Sequence, residues 1–186
     1  VTSSPTPVTP ERIAALLSDE GIPHELLGDT VIVTFAEYGV YFGVFPEAIG
    51  AAGNWAGAVD PALVPVALGA CNEWNLTQLN PMLTFTITSP SAESDHAPTG
   101  DVTAEPRPGD MVSFSFRRTG IIGAQGWTHN QLGAWIMTTL ENIQRLVVFL
   151  EGQFPDTTTT ITGDTYVMPT PDADTSSAPQ PATDEE

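Results

Sequence analysis

The chain has 186 residues, with 23 Asp and Glu against five basic residues, all arginine, and a net charge of −18. That balance speaks against a sequence-independent grip on nucleic-acid phosphates, which needs clustered Lys and Arg, and against an anionic membrane surface for the same reason. The length fits one domain with tails, and no apolar run reaches the ~20 residues that span a bilayer.

Residues 1–8 are small and Pro-containing, and read as a flexible N-terminus without the basic and apolar regions of a signal peptide. Thr9-Pro10-Glu11 predicts a helix start: a capping hydroxyl, proline at the first helical position and an acid near the positive end of the dipole. Ile13, Leu16 and Leu17 form its buried stripe, and Gly21 closes it. Residues 22–27, 30–35 and 39–45 then read as a β-meander around turns at Gly28-Asp29 and Glu37–Gly39. A fourth strand within residues 48–58 is the weakest prediction, because Gly50 and Gly53 interrupt it.

Asp60-Pro61 predicts the start of a second helix, with Leu63, Val66, Ala67, Ala70, Cys71 and Trp74 on one apolar face. Pro81 ends that segment, and Met82–Thr88 alternates as a half-buried strand. Residues 89–109 hold four prolines and little apolar content, and read as a long mobile acidic loop. Met111–Arg117 resumes alternation, and Gly120–Gly126 reads as a glycine-rich bend with a short strand at Ile121-Ile122. Thr128-His129-Asn130-Gln131 is a capping box. It opens a long helix whose stripe is Leu132, Trp135, Ile136, Leu140, Ile143, Val147 and Leu150. The tail, residues 155–186, has the Thr, Pro and Asp composition of a disordered segment.

The expectation is therefore an α+β domain over residues 9–154. It has an antiparallel sheet of about five strands and three helices, in the order α-β-β-β-α-β-β-α.

No catalytic constellation accompanies this architecture. His24, His96 and His129 share no ligand spacing, and Cys71 has no second cysteine beside it, so neither a metal site nor a cofactor is expected. A lone cysteine also allows no internal disulfide, which suits a reducing, cytoplasmic setting. Cys71 lies on an apolar face, where cysteine behaves as a small hydrophobe. The residues 120–126, GIIGAQG, lack the G-x-G-x-x-G spacing and the following lysine of phosphate-binding loops. The candidates that remain are structural or partner-surface residues: Asn72, Trp74 and Asn75 near the end of the middle helix, and Trp127 and Trp135 around the start of the last one. An alternative keeps an enzyme of unfamiliar type, with a site near Cys71, Trp74 and His129.

Several segments resemble one family. Thr9-Pro10-Glu11-Arg12-Ile13 through Gly21-Ile22, the Phe35 and Tyr41-Phe42 meander, Cys71-Asn72-Glu73-Trp74-Asn75, and the Gly-rich turn before Thr128 are similar to YbjN-domain proteins over residues 9–154. The resemblance implies a fold similar to class I type III secretion chaperones. It also implies a non-enzymatic bacterial sensory-transduction regulator or chaperone-like protein-binding module, with no catalytic residues to carry over. A protein partner is expected, with a homodimer as a further expectation. The acidic loop at 89–109 and the tail are departures from the family pattern.

Overall fold

The structure, a computed structural model, describes residues 4–88 and 109–157. The predicted loop, apart from Gly109, and the tail beyond Thr157 lie outside the described residues. Three helices and six strands follow in the order α1 (Pro10–Asp19), β1 (Glu25–Leu27), β2 (Thr30–Thr34), β3 (Tyr38–Phe45), β4 (Ala48–Val59), α2 (Val64–Thr77), β5 (Met82–Thr88), β6 (Met111–Ile121) and α3 (His129–Gln153). One antiparallel sheet has the strand order β1-β2-β3-β4-β6-β5. The α+β class and three-helix layout are as read from sequence, with six strands in place of about five. The meander is local, whereas β4, α2 and β5 form a crossover, because β6 inserts between β4 and β5.

The difference in strand count is β4, the longest strand, whose side chains alternate half-buried and buried along its whole length. Its glycines make room for aromatic rings. A Cβ on Gly53 would run into the Gly39 carbonyl and the Phe116 ring, and one on Gly57 into the indole of Trp55. The register with β6 shifts between Asn54 and Ala58, a β-bulge beside that indole. At the other extreme, β1 is shorter than read. Pro23 has no N–H to give a ladder, and pairing starts at Glu25.

One face of the sheet is buried. Val31, Val33, Val40, Phe42, Ile49, Ala51, Trp55, Leu83, Phe114 and Phe116 lie on it, beneath a layer of helices. The longest helix, α3, supplies most of the cover through Leu132, Ile136, Leu140, Ile143, Leu146, Val147 and Leu150. Its capping box is present: the Gln131 N–H donates to Thr128 Oγ1 at 3.2 Å, and the Thr128 N–H donates to Gln131 Oε1 at 2.8 Å. The opposite face is open, with Ile32, Tyr41, Ala52, Arg117 and Met82 in one row across five strands.

Leu63 and Val66 do not join the buried face of α2, contrary to the periodicity argument; both are exposed. A 3-10 turn at Pro61–Leu63 precedes the helix, so the α-helical phase does not reach back to Leu63. Val66 sits about 100° around the helix from Ala67, at the margin of the stripe.

Within the N-terminal stretch, Thr6 and Val8 have partners in the domain. Thr6 makes a two-way backbone bridge with Trp127, and Val8 is buried. Arg12 clasps the junction, donating to the carbonyls of Thr6, Pro7 and Trp127.

Candidate functional site

The sequence candidates separate into three places. At the end of α2, Asn75 stands in for a neighbouring strand. Its Nδ2 donates to the Leu83 carbonyl at 2.8 Å, and its Oδ1 accepts from the Leu83 N–H at 2.9 Å. The backbone of the edge strand β5 is thereby satisfied where no further strand pairs with it. Trp74 is buried, donates its indole N–H to the Pro81 carbonyl at 2.8 Å, and packs on Phe149 of α3 with ring centroids 5.4 Å apart. Asn72 is exposed on the outer side of α2.

Trp127 and Trp135 form a second cluster, 6.0 Å between centroids and half-buried between the sheet and α3. The Arg118 guanidinium lies 5.1 Å over the Trp135 ring. It donates to the Trp135 carbonyl and to the hydroxyls of Thr138 and Thr139. Burial lowers its pKa, and neutral acceptors compensate the charge. Gly120 is the space these rings need, since a Cβ there would meet both indoles.

The third place is His129, exposed in the first turn of α3. Trp74 meets α3 at Phe149, twenty residues further on, about 30 Å along the helix at 1.5 Å per residue. Cys71, Trp74 and His129 are therefore not brought together, which removes the geometry of the enzyme alternative. Cys71 is only 6% exposed, and burial pushes its thiol pKa up to about 11, the opposite of an activated nucleophile. Among the described residues, no group of three or more His, Cys, Asp or Glu is placed to hold a metal ion.

Among the described residues, one hollow of about 470 Å³ lies between Leu63, Met111 and Phe154, and a longer concave stretch runs along α3. Two adjoining hollows, about 320 Å³ and 420 Å³, share Met137 and run beside the helix from His129 to Glu151. Opposite α3, the first has Leu16, Leu17 and Glu20 of α1 as its wall. In the second, Ile22 and the β2–β3 turn residues Phe35, Glu37 and Tyr38 take that place. The α3 wall carries Met137, Leu140, Glu141, Gln144, Val147, Val148 and Glu151. Val148 is 63% exposed, an apolar side chain standing in water on the α3 wall. The carboxylates of Glu20, Glu37, Glu141 and Glu151 punctuate the walls, and no arginine lines either hollow. Burial, with Glu37 adding like-charge repulsion, pushes the Tyr38 phenol up to about 12, so it stays a neutral hydroxyl.

Of the trough residues, the sequence singles out His129 and Phe35 for other reasons, and the α3 wall only through periodicity. The spacing of Met137, Glu141, Gln144, Val148 and Glu151 alternates four and three, which marks a second helical stripe. Val148 interrupts its polar run, and that interruption was the available signal.

Comparison with known proteins gives a likeness of fold. No family model matches the sequence, and no curated protein does. The crystal structure of YbjN from E. coli, described as a candidate transcription regulator, superposes with a TM-score of 0.55 at 10% identity. The match covers 80% of this chain and 94% of YbjN. The two share a fold. At this identity the YbjN likeness carries the α+β architecture alone. Among the described residues, no helix is long and apolar enough to cross a membrane.

Proposed function

We propose that this chain is a non-enzymatic regulatory or chaperone-like module of the YbjN type, which works by binding a segment of another protein. The observation that carries the reading is the trough beside α3. Its two hollows lie in line along about 30 Å of α3, are lined by apolar residues and carboxylates, and hold no nucleophile–base pair. A surface of that length accommodates a helix or an extended segment, as in helix-in-groove recognition. The YbjN fold likeness supports a regulatory reading in the same direction. We place its action in the cytoplasm; the single cysteine, Cys71, is buried and makes no internal disulfide demand on the compartment.

The test places a photo-crosslinking amino acid at Val148 in the trough and, as a control, at Leu79, which is 98% exposed on the α2–β5 connection. Expressed in native cells, the Val148 probe should yield a discrete protein adduct that the Leu79 probe does not. Absence of any trough-specific adduct would count against the module reading. Sedimentation of the purified chain reads self-association in the same preparation.

A further inference from the structure

We propose that the trough receives a basic amphipathic helix of a partner protein, its apolar stripe on the floor and its Lys or Arg side chains against the four carboxylates of the walls. This rests on the protein-binding reading above and adds the chemistry of the partner. Length argues for a macromolecular segment. From His129 to Glu151 the trough follows about six turns of α3, whereas a small metabolite would fill one hollow and leave the other wet. The lining argues for an amphipathic one: the exposed Val148 and half-buried Met137 stand on one side, half-buried Ile22 and Phe35 on the other, above the buried Leu16, Leu140 and Val147.

Charge selects the sign. Glu20 and Glu37 stand on the wall opposite Glu141 and Glu151 of α3, so cations entering from solvent meet carboxylates on both sides. The titratable groups facing the trough are these four, the neutral Tyr38 phenol and His129. Three of the chain's described arginines are engaged away from the trough. Arg12 is held by backbone carbonyls, Arg118 lies over Trp135, and Arg117 reaches Met82 on the far face of the sheet. Arg145 is on α3 but does not line either hollow. A helix with neutral or acidic flanks would leave the carboxylates unbalanced as water is driven from between them.

The experiment uses the full 186-residue chain and two fluorescein-labelled peptides of about five helical turns. One is patterned from Leu and Lys, the other from Leu and Glu. Anisotropy titrations at low and moderate salt should show the Lys peptide binding with an affinity that falls as salt rises, and the Glu peptide not binding. Replacing Glu20, Glu37, Glu141 and Glu151 together by Gln should weaken binding by about tenfold or more. A control with Glu25→Gln, Asp29→Asn, Glu47→Gln and Glu73→Gln makes the same change of net charge away from the trough. It should shift affinity by less than about twofold. Val148→Gln, at an exposed position where folding is not at stake, should weaken binding by about fivefold. Equal losses in the two four-site variants would mean that net charge alone holds the peptide, and would overturn the proposal. So would an unchanged affinity for Val148→Gln, or failure of the Lys peptide to bind. If the Lys peptide fails while the Val148 crosslinker captures a partner, the module reading stands and the basic-helix proposal falls; if both fail, both fall.

Discussion

Asn75 shows how one side chain can finish a sheet. Its amide answers both polar groups of Leu83, a residue only 1% exposed, so Asn75→Leu leaves a buried N–H and a buried C=O without partners. The expected cost is about 1–3 kcal/mol, read as a lower midpoint in chemical denaturation at unchanged m-value. Unaltered unfolding would remove the strand-mimic role. Cys71 and Tyr38 make a second prediction at this scale, about pH. Both have folded pKa values raised by burial, from 9.0 to about 11 and from 10.0 to about 12. The unfolded chain releases these protons first, so stability is intact below about pH 9 and falls as pH climbs through the two folded values. Cys71→Ala should remove the portion that sets in first. A flat stability profile from pH 8 to about 11 in the parent chain would contradict this.

The elements that declared themselves in the sequence are those specified by neighbours along the chain. Thr9 and Thr128 cap α1 and α3 because a hydroxyl needs only an amide three residues on. Thr128→Ala is accordingly expected to cost about 1 kcal/mol in thermal unfolding. The element that hid itself was β4, whose glycines, read along the chain, weaken a strand. In three dimensions Gly53 is the only residue that fits between the Gly39 carbonyl and the Phe116 ring, partners 14 and 63 positions away in sequence. Gly53→Ala should therefore destabilise by about 1–3 kcal/mol. Gly69, inside α2 with nothing near its absent Cβ, should respond the other way. Gly69→Ala is expected to raise stability by about 0.5–1 kcal/mol. Opposite signs at these two glycines separate packing from helix propensity, and a Gly53→Ala variant as stable as the parent would refute the steric account of β4. The trough was illegible for a related reason. Its α3 wall is a helical stripe, but Ile22, Phe35, Glu37 and Tyr38 reach it only through the sheet order.

Across the whole molecule, the 186-residue chain carries a charge of −18, and Arg12 and Arg118 are held by neutral acceptors. Carboxylate self-repulsion then works against the compact state, and screening relieves it. The melting temperature should rise as NaCl is raised from a few millimolar to about 0.5 M, where the Debye length falls well below 10 Å. A salt-independent melting temperature would show that the charges are spread too thinly to matter. The Arg12 clasp has a consequence for how the chain is made. It joins Thr6 and Pro7 to Trp127, and α3, the main cover of the sheet's apolar face, follows every strand among the described residues. On the ribosome, the hairpins of β1–β4 can pair as they emerge, but Phe42, Ile49 and Trp55 stay uncovered until α3 clears the exit tunnel. Until α3 emerges, the nascent chain keeps an adhesive sheet face on display. A stalled chain ending before Thr128 is a natural client for the cell's own folding factors.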